Sequence, residues 1–213
     1  MTREISQSVR RVITVGAPNL ILETNRLRLR RWKASDVEPF AALNADPIVM
    51  KNFPSPLSLD QTKSFIGAVE AHFEFENFGL WATELKDGGD FIGFVGLSIP
   101  RFSAPFMPCV EIGWRLAHKY WGQGYAPEAA REVLRDGFER VKLLEIVSFT
   151  ATSNVNSMRV MEKIGMKHNP TEDFDHPNVA DGHHLKRHVL YRLTVDEWKR
   201  GIGCDRDVSK TLI

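Results

Sequence analysis

Apolar residues first fall into register at Leu20-Ile21-Leu22 and then alternate with basic ones through Leu27-Arg28-Leu29-Arg30-Arg31-Trp32, a period of two that predicts strand. Ser35-Asp36 offers a helix cap ahead of Val37, Phe40, Ala41, Leu43 and Asn44, and Ser58-Leu59-Asp60 opens a second helical pattern through Phe65, Ile66, Val69 and Phe73. Residues 33 to 76 therefore read as helical, broken up by Pro47, Pro54 and Pro56. Strand character returns in residues 79–85 and 91–97, which flank the hairpin signal Asp87-Gly88-Gly89-Asp90. Residues 110–116 alternate cleanly, with Val110, Ile112, Trp114 and Leu116 on one face and Glu111 and Arg115 on the other, either side of Gly113.

From Ala126 the period becomes helical, carried by Ala129, Ala130, Val133, Leu134, Gly137, Phe138 and Val141, with Pro127 and Glu128 suited to a first turn. A strand follows at residues 146–151. Asn154 then caps a helix that runs through Met161 and Ile164 and stops at Gly165. Residues 166–168, a polar loop rich in Asp and His, and a last strand at 189–193 complete the pattern. The whole predicts one α/β domain over residues 20–200, with a flexible arm at 1–19 and a tail at 201–213.

Charge changes little in this picture. The 28 basic and 27 acidic residues of this 213-residue chain leave +1, so no global field draws it to nucleic acid or to an anionic membrane. No stretch approaches the ~18 apolar residues of a membrane span. Arg10 and Arg11 precede the apolar run Val12 to Ala17, but Pro18 and Asn19 follow at once, which fits an arm better than a signal peptide. Cys109 and Cys204 belong to no metal-binding spacing and read as two reduced thiols of a cytoplasmic protein. His176, His183, His184 and His188 match no zinc pattern either, so no metal is expected.

The segment Trp121-Gly122-Gln123-Gly124-Tyr125-Ala126 carries the chemistry. A glycine turn between a strand and a helix start exposes unpaired N–H groups at the positive end of a dipole, a cradle for phosphate. A lone GxG is also an ordinary connecting turn. There is no Lys-Ser/Thr for a Walker-type loop and no third glycine for a dinucleotide fingerprint.

Taken together, "EIGWRL", "WGQGYAPEA" and "NVNSMRVMEKIGM", in this order and at this separation, resemble the GNAT superfamily of acetyl-CoA-dependent N-acetyltransferases. The RimJ/RimL branch, which acetylates protein N-termini, is the part of it most similar. The resemblance implies a mixed, mostly antiparallel sheet with flanking helices, whose splayed middle strands hold acetyl-CoA between them. It also implies that Trp114, Arg115 and Leu116 run beside the pantetheine arm, that Trp121, Gly122, Gln123, Gly124, Tyr125 and Ala126 hold the pyrophosphate, and that Asn154 and Ser157 face the cofactor. Ser157 would protonate the departing thiolate. Where many relatives carry a Tyr one turn later, this chain has Met161, which has no proton to give.

Two residues keep a double reading. Asn154 serves as a helix cap or faces the cofactor, and the two are compatible. Glu111 matches an acidic position used as a base, or it is a strand carboxylate paired with Arg115. The need for a base depends on the acceptor: a lysine amine is neutral only ~1 part in 2,500 at pH 7, an α-amine ~1 part in 6–10. His176 and His188, in or beside the 172–188 loop, are expected on the acceptor side. The expected activity is acetyl transfer to a primary amine, with a peptide N-terminus as acceptor; the alternatives are a small-molecule or antibiotic amine, or an acyl-CoA-binding module without turnover. The apolar stretch Val12 to Leu22 offers a surface for a homodimer.

Overall fold

The computed structural model describes the backbone of residues 20–208 and side chains as far as residue 201. The expected arm at 1–19, and most of the apolar stretch suggested for dimerisation, lie outside the described residues. The first alternation forms β1 (Leu22–Glu23) and β2 (Leu27–Arg30). The segment read as helical holds α1 (Val37–Ala45), α2 (Pro47–Met50) and α3 (Leu59–Glu76).

Pro47 sits in the first turn of α2, where its missing N–H is no loss, and Asp46 caps that turn by accepting from Ile48 N at 2.8 Å. At α3, Gln61 N donates to Ser58 Oγ at 3.2 Å while Ser58 N donates to Gln61 Oε1 at 2.8 Å, a reciprocal capping box. Asp36 departs from expectation, because its side chain does not cap α1 but accepts from Lys33 N at 2.8 Å and turns to Arg30. It is 2% exposed and takes two bonds from the Arg30 guanidinium, at 2.7 and 2.9 Å, with Glu84 on the Nε edge at 2.6 Å. A cap is worth about 1 kcal/mol, whereas a buried guanidinium without its counter-charges costs several.

Next come the hairpin strands β3 (Leu80–Leu85) and β4 (Phe91–Ser98), turned by Gly88 and Gly89 at φ 81° and 72°. They are followed by β5 (Glu111–Leu116), α4 (Tyr125–Glu139), β6 (Glu145–Ala151) and α5 (Val155–Lys163). Short β7 (Lys167–His168) and β8 (Phe174–Asp175) precede β9 (Arg187–Thr194), and α6 (Val195–Val208) carries the chain past residue 200 as helix. Cys109 is a free thiol.

The strands form one sheet in the order β1-β2-β3-β4-β5-β6-β9-β7, with β8 also on β9. Neighbours are antiparallel except β5 and β6, which are parallel and share a single register pair, Glu111 with Val147. Val147 N donates to Val110 O at 2.9 Å and Ser148 Oγ to Ile112 O at 2.9 Å; past this point the strands part. Phe94 and Leu97, three residues apart on β4, point to opposite faces. On the Phe94 side pack Trp32, Phe40 of α1 and Phe65 of α3. On the Leu97 side lies α4, held close by Gly137: a Cβ there would sit 2.9 Å from Ile146 and 3.0 Å from Leu97. Helices thus flank both faces of a mostly antiparallel sheet.

Candidate active site

Where β5 and β6 part, a cleft of about 800 Å³ opens, a size that suits an extended small-molecule ligand. Val110 and Ile112 turn their carbonyls toward β6, so alternation turns the main-chain groups of Trp114 and Leu116 the same way. Trp121 Nε1 occupies the Leu116 carbonyl at 2.7 Å. The Trp114 amide and carbonyl are left facing the gap, in position to pair with an extended chain.

At one end of the cleft the strand runs into the glycine loop. Gly122 and Gly124 have φ of 75° and 81°, backbone that L side chains rarely adopt, and nothing lies within 4 Å of a Cβ built at Gly122. Trp121, Gly122, Gly124, Tyr125 and Ala126 line the cleft. Gln123 does not: its side-chain amide turns back to Lys119 O at 2.9 Å and its carbonyl accepts from Arg26 Nη1 at 3.0 Å. Glu128, in the first turn of α4, leaves the cradle open because Arg26 holds it in an ion pair of 2.6 Å. Open space above the left-handed Gly122, with Arg26 Nη2 3.4 Å from a Cβ built at Gly124, at the start of a 15-residue helix fits a pyrophosphate.

On the opposite wall, Asn154 Oδ1 accepts from Ser157 N at 3.3 Å, the expected cap of α5. Its Nδ2 donates to Thr150 Oγ1 at 2.9 Å and to Ser157 Oγ at 3.0 Å. Both residues line the cleft, so capping α5 does not take Asn154 out of it. Met161 also lines it, buried.

Glu111 stands at the junction of the two strands, half-buried on the cleft wall, and burial pushes its carboxyl up to about 8. The alternative of a Glu111–Arg115 pair is overturned. Four residues of strand put their Cα atoms ~13 Å apart, out of reach of each other. Arg115 instead donates to Asn44 Oδ1 at 2.7 Å, with its guanidinium 4.1 Å above the Phe53 ring. Burial without a counter-charge lowers its pKa to about 10. Trp114, Arg115 and Leu116 all line the cleft, Arg115 from the side of α1 and α3.

His176 and His188 lie in the same cleft with ring centroids 4.9 Å apart. Desolvation lowers both, His188 to about 4, so both are neutral at pH 7. His188 Nδ1 sits 3.2 Å from Lys186 O, which makes Nδ1 the protonated nitrogen and leaves Nε2 as an acceptor. His183 and His184 stack on each other, off the cleft wall. Among the described residues no three His, Cys, Asp or Glu side chains converge as a metal site, and no helix is long and apolar enough to cross a membrane.

Sequence reasoning missed Arg159 and Lys163 of α5, which line the cleft one helical turn apart, and the Asn44–Arg115 contact. The spacing of the two basic residues was visible inside the Asn154–Met166 motif. The Asn44 contact spans 71 residues and had no local signal.

The acetyltransferase (GNAT) domain family matches this chain over residues 26–167. The FsC-acetyl coenzyme A-N(2)-transacetylase of Aspergillus fumigatus is 33% identical over 196 residues, covering 84% of this chain and 78% of that protein. YkkB of Bacillus subtilis, an uncharacterized protein, is 33% identical over 151 residues, 70% of this chain and 87% of its own. Among solved structures, a GNAT-family acetyltransferase from Bacillus anthracis matches with a TM-score of 0.69 at 25% identity, covering 83% of this chain and 99% of that one. RimL, a ribosomal-protein acetyltransferase solved with coenzyme A, matches with 0.68 at 14% identity over 84% and 99%, a likeness of fold. A sheet parted between its central strands, a glycine cradle at one end of the gap and a family match across two thirds of the length have one meaning: the chain belongs to the GNAT acetyltransferase family and is an acyltransferase.

Proposed function

We propose that the enzyme transfers the acetyl group of acetyl-CoA directly to a primary amine, with both substrates bound in the cleft between β5 and β6. The observation that carries this reading is the meeting of Glu111 and the Asn154–Ser157 pair on one cleft, at the point where the strands part. Acetyl-CoA supplies the activated acyl group. The chain's own residues do the rest: the loop at Trp121–Ala126 holds the pyrophosphate by main-chain N–H groups, with Arg159 and Lys163 as further cations for phosphate. The Trp114 main chain pairs with the pantetheine arm, and N–H donors of β5 face the carbonyl oxygen where negative charge develops.

Glu111, directly or through a water, takes the amine proton. A carboxyl pushed up to about 8 is mostly protonated at neutral pH, and once ionised it is a far stronger base than an exposed carboxylate. That strength is matched to an α-amine, at ~7.7–8.0, and falls short of a lysine amine at ~10.4. Ser157 Oγ, which accepts from Asn154, keeps its own proton for the departing thiolate. His176 and His188, neutral and adjacent, line the acceptor side.

The acceptor we favour is an N-terminal α-amine, in keeping with the RimJ/RimL-like motifs; small-molecule amines form the second class, favoured by the relative whose name specifies an N(2)-transacetylase. Free-thiol release from acetyl-CoA, measured against N-terminal peptides, polyamines and aminoglycosides, tests the reading. Turnover with one class identifies the acceptor. Tight acetyl-CoA binding with no turnover across the panel defeats acyl transfer to those amines and leaves a binding module.

A further inference from the structure

Arg115 is a buried cation with no anion. It is 9% exposed, its Nη1 donates to Asn44 Oδ1, its Nε has no acceptor, and no carboxylate among the described residues pairs with it. The phenyl rings of Phe53, Phe94 and Phe65, at 4.1, 5.6 and 5.8 Å, offset part of the desolvation through their negative faces. They do not neutralise the charge. Asn44 is itself fixed, because its Nδ2 donates to Thr62 Oγ1 at 3.0 Å. The Thr62–Asn44 relay therefore aims the guanidinium without cancelling it, where an Asp at 44 would have cancelled it.

Arg115 and the three rings around it all line the cleft. They belong to the Phe94 face of the sheet, with α1 and α3, whereas the phosphate cradle belongs to α4 on the other face. With Nη1 committed to Asn44 and Nε closed off from solvent, the donors left open to the cleft are those of Nη2, which a carboxylate accepts in a charge-assisted bond. We propose that Arg115 anchors an acceptor subsite for a carboxylate, so that the amine acetylated here belongs to a molecule carrying a carboxylate several bonds away. The inference rests on the acyl-transfer reading for calling that molecule the acceptor. The ~13 Å of strand between the Cα atoms of Glu111 and Arg115 favours a carboxylate several bonds from the amine over one on the carbon that bears it.

The test uses matched acids and amides: 4-aminobutyrate and 6-aminohexanoate against 4-aminobutanamide and 6-aminohexanamide. Binding to the coenzyme A-loaded protein is followed by calorimetry and turnover by thiol release. At least one acid binds roughly 10–100-fold tighter than its amide, the range of a charge-assisted bond to a buried partner. Arg115→Met and Asn44→Asp, the latter placing a carboxylate inside the protein beside the guanidinium, both bring that ratio close to one. Equal binding of acid and amide to the wild-type protein, no binding of either acid, or a preference that survives both substitutions overturns the proposal. A binding preference for the acid, with no thiol release from these amines or from any N-terminal peptide, polyamine or aminoglycoside, supports the subsite and defeats acyl transfer to those amines instead.

Discussion

Asn154 and Ser157 hold each other twice: Ser157 N donates to Asn154 Oδ1 at 3.3 Å, and Asn154 Nδ2 donates to Ser157 Oγ at 3.0 Å. The hydroxyl therefore spends a lone pair on Asn154 and points its hydrogen elsewhere. A helix cap and an oriented hydroxyl are one construction.

Ser157→Ala is expected to lower kcat by roughly 10–100-fold while KM for acetyl-CoA changes little, because coenzyme A thiolate leaves fairly well unaided and general acid catalysis has less to supply. Steady-state kinetics decides it. A loss beyond ~10⁴-fold with acetyl-CoA binding intact would make the hydroxyl indispensable, and no loss would remove it from the mechanism.

Glu111 has a pH signature. Its carboxyl is held near 8 against an ordinary 4.5, so the base form accumulates as pH rises, and kcat/KM should climb from pH 6 to about 8. Glu111→Gln abolishes the contribution of that limb and leaves only the amine's own titration. Stability runs the other way: between about 4.5 and 8 the native state holds a proton that the unfolded chain has released, so stability falls with rising pH. In Glu111→Gln that decline is absent, which thermal melts at pH 5 and pH 8 will read.

Gly124→Glu places a side chain at φ 81° and a negative charge in the cradle. Acetyl-CoA affinity should fall by at least about 100-fold, combining like-charge repulsion with a strained backbone. An unchanged dissociation constant would remove the pyrophosphate from this loop.

The pattern of residues made the periodic parts of this fold readable: the Gly88–Gly89 hairpin, the Ser58 cap, the alternation on β5 and the long α4 each obey a local rule. The cleft residues with a backbone task, Gly122, Gly124 and Asn154, were legible for the same reason. What local pattern could not carry was the destination of long side chains. Asp36 has the composition of a cap, yet it answers Arg30, and Arg115 sits beside Glu111 in the pattern while contacting Asn44, 71 residues away. Gln123 belongs to the motif, but its amide folds back on Lys119. Charge partners are chosen by burial in three dimensions, which periodicity does not encode.

Asp36→Asn tests the buried triad directly. Arg30 would keep Glu84 and lose its bidentate partner, at a cost of about 3 kcal/mol. For a chain of this size the melting temperature should drop by ~6–12 °C, with activity at low temperature preserved. Asp46→Ala, which removes only a cap, should cost about 1 kcal/mol and serves as the comparison.

The two halves of the sheet meet through one rung, Glu111 with Val147. On the reading proposed above, a thioester arm beside Trp114 would supply hydrogen bonds that the protein does not make for itself, and for the length of one catalytic turn the donor substrate would serve as a strand of the enzyme. Each release of coenzyme A would take that strand away. The proposed cycle would then also be one of stiffening and loosening along the seam between β5 and β6.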